Sequence, residues 1–281
     1  MENIIEMKNV SKQFKDKDAL KRINFTVKKG EVFGFLGPSG AGKTTTIKIL
    51  TSQLIPSSGE AKILNNDISS IKRDVFREIG VLSDNSGLYE RLSVEENLML
   101  FAKIYGVDKK RVYEILERVN LFEDKKKEAK KLSKGMKQRL MLARTLIHKP
   151  KILFLDEPTS ALDPGTAKEI HKLLKGLNEE GTTIFLTTHK MEEADKLCDR
   201  VAFLNDGEIV EIDTPENLKL NYSENIIEVK LKPNREKVLV KNDKEGADKI
   251  KNWMLNNKLL TIHSKEPNLE EIFLSLTGRG L

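Results

Sequence analysis

Gly37-Pro38-Ser39-Gly40-Ala41-Gly42-Lys43-Thr44 is a complete phosphate-binding loop. Glycines at its first and last turns let the backbone curl so that successive N–H groups face phosphate oxygens. Lys43 reaches toward the β- and γ-phosphates, and the Thr44 hydroxyl is a ligand for Mg²⁺. The flanks agree with this reading. Val32-Phe33-Gly34-Phe35-Leu36 reads as a buried strand, and Thr45 to Leu54 as a helix whose N-terminus brings partial positive charge to a polyphosphate. At ordinary glycine frequency a chance turn would match the fixed positions in roughly one chain in a hundred of this length. The strand–loop–helix setting lowers that further, so the sequence is that of a nucleotide-binding protein.

With 281 residues and 38% hydrophobic content, the chain has room for one large domain and an appendix. Its 49 basic residues face 43 acidic ones, a net charge of +6, which reads as a mixed, lysine-rich solvated surface. A single cysteine, Cys198, excludes an internal disulfide framework and a cysteine-based zinc site. It shares the apolar spacing of Met191, Ala194 and Leu197, which predicts a buried, inert thiol. No apolar run approaches the ~18–20 residues that a membrane-spanning helix needs. Met1-Glu2-Asn3 does not open a signal peptide. The expected location is therefore cytoplasmic, with membrane association only through a partner.

Residues 1–30 alternate apolar and polar positions and predict short antiparallel strands. From Ser93 the pattern turns helical. Ser93-Val94-Glu95-Glu96 is a capping box opening a helix to Tyr105, and Asp108 caps the next, with Val112, Ile115, Leu116 and Val119 on one face. Lys125 to Lys131 reads as a solvated connection to a helix that begins after Leu132-Ser133 and runs to His148. Ile152–Leu155, Thr183–Leu186 and Val201–Leu204 then read as strands, with an amphipathic helix carrying Ile170, Leu173, Leu174 and Leu177 between the first two. The predicted fold is α/β: a P-loop NTPase with a mostly parallel core sheet, an antiparallel β subdomain and a helical lobe at about 86–150. A boundary at Asp213-Thr214-Pro215 divides a nucleotide-binding domain, 1–214, from an accessory α/β domain, 215–281. The accessory domain reads as strand, helix, strand and a last helix capped by Asn268.

Ile152-Leu153-Phe154-Leu155-Asp156-Glu157-Pro158 is an apolar strand ending in two carboxylates. Strand burial holds Asp156 near Mg²⁺, and Glu157, one step on, polarises a water toward the γ-phosphorus, so that adjacent acids divide metal binding and base chemistry.

Taken with the phosphate loop, this strand makes residues 3–213 resemble the ATP-binding cassette (ABC) family. Leu132-Ser133-Lys134-Gly135-Met136 resembles its signature, Ser160-Ala161-Leu162-Asp163 its D-loop, and His189 after Thr187-Thr188 its switch histidine. The resemblance implies ATP and Mg²⁺ as ligands, with Phe14 stacking on adenine. Gly37 to Thr45 (Gly37, Pro38, Ser39, Gly40, Ala41, Gly42, Lys43, Thr44 and Thr45) would hold the phosphates, and Ser133 and Gly135 would touch the γ-phosphate held by a second protomer. Glu157, His189 and Lys43 are the implied catalytic groups, and Thr44, Asp156 and Asp84 the implied metal set. Two departures stand out. Asp84 occupies the position of the Q-loop glutamine, from which altered coupling to a membrane partner with retained hydrolysis is expected. Lys134 and Met136 replace a glycine and the glutamine of the signature, while Ser133 and Gly135 keep its contacts.

In the family the chain resembles, loop and signature meet only across a head-to-tail pair, so the resemblance implies dimerisation, as a homodimer or with a paralogous subunit. The implied function is the ATP-hydrolysing subunit of an ABC transporter. Its separate integral membrane permease would dock near Gly87-Leu88-Tyr89-Glu90-Arg91, where exposed Leu88 and Tyr89 offer an apolar contact. Phe33-Gly34-Phe35-Leu36, Leu132-Ser133-Lys134-Gly135-Met136, Thr188-His189-Lys190-Met191-Glu192-Glu193-Ala194 and Asn268-Leu269-Glu270-Glu271-Ile272-Phe273-Leu274 resemble prokaryotic exporters of the multidrug, sodium-extrusion and lantibiotic-immunity type. An importer ATPase and a regulatory, nonhydrolytic cassette are the alternatives. No nucleic-acid partner is expected: the chain has no long heptad coil, no cysteine cluster and no second cassette, the features of the nucleic-acid and translation branches.

Overall fold

The computed structural model describes residues 2–15, 17–83 and 87–278. The chain divides after Asp213 into two compact units.

The first unit opens with β1 (Asn3–Phe14) and β2 (Lys17–Lys28), antiparallel and 12 residues each, longer than the short strands expected from their alternation. Then come β3 (Val32–Leu36), α1 (Lys43–Leu50), β4 (Ser58–Ile63), β5 (Asn66–Asp67), α2 (Arg73–Phe76) and β6 (Ile79–Leu82). Helix α1 starts two residues before the expected Thr45 and stops at Leu50, with Thr51 as its C-cap. Next are α3 (Val94–Tyr105), α4 (Lys109–Arg118) and α5 (Lys134–Leu146). The unit closes with β7 (Ile152–Asp156), α6 (Pro164–Glu179), β8 (Thr183–Thr188), α7 (Met191–Leu197), β9 (Arg200–Asn205) and β10 (Glu208–Asp213).

Among the described residues these strands form two sheets. The first is antiparallel, in the order β2-β1-β4-β5. The second is six-stranded, in the order β10-β9-β3-β8-β7-β6; it is parallel from β9 to β6, with β10 antiparallel at its edge. Every residue of β3, β7 and β8 is buried, as befits a parallel sheet covered on both faces. Phe25 of β2 stacks on Phe33 of β3 at 5.4 Å and on Phe185 of β8 at 5.9 Å, and Phe154 of β7 lies 5.6 Å from Phe185. This aromatic cluster joins the two sheets.

The lobe helices begin where their caps dictate. Ser93 and Glu96 close a capping box, Asp108 Oδ1 accepts from Arg111 N at 2.9 Å, and Ser133 Oγ accepts from Met136 N at 3.2 Å. Helices α3 and α4 bury Leu98, Ala102, Val112, Ile115 and Leu116, and α5 buries Leu140, Ala143 and Leu146. The lysine-rich connection is exposed at Lys126, Lys127, Lys130 and Lys131 but is pinned by buried Ala129 and a Ser93–Glu128 bridge. Cys198 is buried, and that burial pushes its thiol well above the usual value.

The second unit comprises α8 (Pro215–Asn221), β11 (Ile226–Leu231), β12 (Glu236–Lys241), α9 (Lys244–Leu255), β13 (Leu259–Ser264) and α10 (Leu269–Thr277). Its antiparallel sheet runs β12-β11-β13, with Val229, Val240, Ile250 and Trp253 in a small core. Asn268 and Glu271 form a capping box at α10, which packs beside α8. Strand β12 and helix α8 are not evident in the sequence pattern. Both are short, and neither is buried along its length.

Candidate nucleotide site

The loop between β3 and α1 packs close enough to its surroundings that glycine is required. A Cβ on Gly37 would lie 2.1 Å from the Leu204 carbonyl oxygen, and Gly42, at φ 114°, would set one 2.6 Å from the Ala19 carbonyl. Lys43 is only 6% exposed. Its Nζ donates to the carbonyls of Gly37 (2.6 Å) and Pro38 (3.1 Å) and stands 3.6 Å from Glu157 Oε1. Burial pulls the Lys43 ammonium below its usual value, and the charges of Glu157 and Asp156 offset part of that shift.

Asp156 is the last residue of β7 and is buried. Its Oδ2 accepts from Thr44 Oγ1 at 2.7 Å, and its Oδ1 accepts from Thr187 Oγ1. Register explains the second contact, because Asp156 pairs with Thr187 across β7 and β8. Glu157 adopts a left-handed backbone, φ 49°, which a residue with a Cβ holds only when its surroundings compel it. Its N–H donates to the Thr187 carbonyl at 3.1 Å and lies 3.2 Å from Thr187 Oγ1. The turn presents the Glu157 carboxylate between two cationic or hydrogen-bonding groups, Lys43 Nζ and His189 Nδ1, the latter 2.6 Å from Oε2.

A cavity of about 400 Å³ lies over these groups. It is lined by Phe14, Lys17 and Ala19 of the β1–β2 hairpin, by Ser39, Gly40, Gly42, Lys43, Thr44 and Thr45, and by Asp156, Glu157 and Ser160. Its size suits a nucleotide-scale ligand. Phe14 is 43% exposed, with Lys12 Nζ 5.0 Å from its ring centre, and Lys17 pairs with it in register. The Thr44 hydroxyl and Asp156 carboxylate are hard oxygen donors. Among the described residues no cluster of three or more His, Cys, Asp or Glu forms a metal cage. That donor set fits Mg²⁺, which takes one or two protein oxygens and fills the remainder with water and phosphate.

The structure thus gathers Phe14, the loop, Asp156, Glu157 and His189. Ser133 and Gly135 lie at the start of α5 and do not line this cavity; Gly135 faces Thr166, whose Cγ2 would be 2.8 Å from an added Cβ. Asp84 lies outside the described residues. In the expected docking stretch Tyr89 is 55% exposed, but Leu88 is half-buried rather than exposed. Buried Asn97 braces that stretch by accepting from Tyr89 N at 2.9 Å and donating to the Tyr89 and Ser93 carbonyls. Sequence reasoning missed Thr187, Lys17 and Gln138. Gln138 Nε2 donates to the Pro158 carbonyl at 2.7 Å, tying α5 to the residues after Glu157.

This combination of sheet, loop and paired acids defines an ATP-binding cassette. The ABC transporter family profile matches residues 20–160, and the chain belongs to that family of ATP-hydrolysing cassettes. It is 41% identical over 267 residues to a fluoroquinolones export ATP-binding protein of Mycobacterium tuberculosis, covering 94% of this chain and 89% of that one. It is 35% identical to the linearmycin resistance ATP-binding protein LnrL of Bacillus subtilis, covering 99% of each chain. Among solved structures, the dimeric ATP-binding cassette MJ0796 bound to ADP and Pi matches with a TM-score of 0.69 at 32% identity, covering 75% of this chain and 98% of that one. No helix among the described residues is long and apolar enough to cross a membrane.

Proposed function

We propose that this chain is the ATP-hydrolysing subunit of an exporter of a drug, peptide or ion. It works as a homodimer or with a paralogous cassette on the cytoplasmic face of the membrane, held there by a separate integral membrane permease. The Glu157 carboxylate, poised between Lys43 Nζ at 3.6 Å and His189 Nδ1 at 2.6 Å, carries the catalytic part of the reading.

In this scheme the loop N–H groups of Gly37 to Thr45 cradle the phosphates and Phe14 stacks on the base. Thr44 and Asp156 would hold Mg²⁺, which would supply positive charge against the triphosphate. Glu157 orients a water in line with the Pγ–O bond to the leaving ADP and takes its proton, while Lys43 and His189 offset charge developing on the transferred phosphoryl group. Ser133 and Gly135 complete the pocket of the facing protomer, a role supported by their place outside this chain's own cavity. The names and near full-length similarity of the fluoroquinolone-export and linearmycin-resistance relatives support export over import.

The test uses inside-out membrane vesicles carrying the chain and its permease. ATP-dependent accumulation of cargo that is lost with Glu157→Gln is expected. Cargo movement in the opposite direction, or phosphate release that survives Glu157→Gln undiminished, sinks the proposal.

A further inference from the structure

Helix α7 carries a buried carboxylate that the scheme above does not use. Glu193 is 5% exposed. Its Oε1 accepts from Thr159 Oγ1 and faces His171 Nε2, and its Oε2 accepts from Thr188 Oγ1 at 3.0 Å. A carboxylate withdrawn from water is tolerated only when hydrogen bonds replace its hydration. Burial pushes the Glu193 carboxyl up, but the bonds from His171, Thr159 and Thr188 outweigh it and hold the group below the usual carboxylate range. It is therefore an anion at neutral pH.

The three partners come from three segments, and two of them matter to the chemistry. Thr159 lies two residues beyond Glu157, where the chain has left β7 through the left-handed turn. Thr188 ends β8 and immediately precedes His189. Lys190 adds a second tie between the same two points: its Nζ donates to the Thr159 carbonyl at 2.9 Å and its N–H to Thr188 Oγ1 at 3.0 Å. Thr187 fixes where the two strands end, through its bonds to Asp156 and to the Glu157 N–H. The chain is held again just beyond, at Thr159, three residues after Asp156, and at Thr188, the residue after Thr187. Both of these converge on Glu193, and the Glu157–His189 contact spans the same gap.

We propose that Glu193 is a positioning residue, a buried anion that clamps the exit of β7 to the exit of β8 and thereby sets the geometry between Glu157 and His189. The inference rests on the catalytic reading of those two groups. It separates from a merely structural role because a clamp governs turnover and leaves nucleotide binding alone. The phosphate loop has a tie of its own to the β9–β10 turn, where the Gly207 N–H donates to the Ala41 carbonyl at 3.1 Å.

Steady-state phosphate release and fluorescent-nucleotide binding decide the matter, measured on the full chain as wild type, Glu193→Ala, Glu193→Gln, Thr159→Val and Thr188→Val. Misplacement of a catalytic group by a fraction of an ångström predicts a fall in kcat of about tenfold or more for Glu193→Ala, with ATP affinity unchanged. Glu193→Gln, which keeps the shape and one acceptor oxygen, restores part of the rate. Each valine substitution lowers kcat in the wild type. Thr159→Val has no further effect in the Glu193→Ala background, because the two groups act as one unit, whereas Thr188→Val also strands the Lys190 N–H and keeps part of its effect there. A folded Glu193→Ala protein with wild-type kcat, or a Thr159→Val effect that persists undiminished in its background, overturns the clamp. If Glu193→Ala does not fold, Thr159→Val decides, since it keeps the side-chain volume and removes the bond to Glu193: unchanged kcat overturns the proposal and reduced kcat at constant affinity supports it. A wild-type chain that releases no phosphate overturns the catalytic reading and the clamp together, whereas an active wild type with indifferent variants overturns the clamp alone.

Discussion

Gly37 shows how narrowly one position can be specified. The Leu204 carbonyl oxygen sits where a Cβ would go, 2.1 Å away, so Gly37→Ala must move either the loop or β9. Loss of nucleotide binding is expected, read by titration with a fluorescent ATP analogue; retained affinity would show that the loop tolerates displacement. Cys198 makes the opposite kind of prediction. Its thiol is buried and pushed well above its usual value, so a thiol reagent at mildly alkaline pH should leave the native protein unlabelled and react only on unfolding. Glu193 predicts a pH dependence of stability. Its folded carboxyl lies below the ordinary value of 4.5, so its ionisation stabilises the fold above that pH, and the contribution disappears as pH falls through the lowered folded value. In urea unfolding, the advantage of wild type over Glu193→Gln should be full at neutral pH and should shrink below about pH 4.5. A gap that grows with acidity would contradict the assignment.

Helix α3 begins at Ser93 because the side chain replaces a hydrogen bond that the first turn cannot make for itself. The reciprocal bond from Ser93 N to Glu96 Oε2, at 2.7 Å, locks the start. Ser93→Ala should cost about 1 kcal/mol of stability, seen as a lower urea midpoint at constant slope. An unchanged midpoint would mean that the Ser93–Glu128 bridge alone sets the helix start. The caps at Ser93, Asp108, Ser133 and Asn268 could all be read from the sequence, since each depends on residues three apart in one segment. Strand β6 could not. Ile79-Gly80-Val81-Leu82 is too short to show alternation, and it is a strand because Ile152 to Leu155 of β7 lie beside it. Edge strand β10 does not show for a related reason: Ile209, Val210 and Ile212 do not alternate strictly with polar residues, and none of them is buried.

The whole cassette is an incomplete enzyme in the proposed scheme, because Ser133 and Gly135 stand apart from the cavity holding Lys43 and Glu157. Glu157→Gln protein with ATP and Mg²⁺ should therefore double its sedimenting mass. Adding Lys43→Ala should abolish that shift, and Ser133→Ala should weaken it. A Glu157→Gln chain that stays monomeric with nucleotide, even beside its paralogue and permease, would remove the basis for a shared site.

Residues adjacent in the chain carried most of the chemistry into view. The phosphate loop, the Asp156-Glu157 pair and the helix caps act through neighbours only a few positions away, so their meaning survives in a string of letters. The contacts of Thr187 with Asp156, Gln138 with Pro158 and Glu193 with Thr159 and Thr188 arise from strand register and helix packing between distant segments. No local pattern encodes such a meeting. The distance between Glu157 and His189 belongs to this second kind, since it exists only once β7 and β8 lie side by side with Asp156 opposite Thr187.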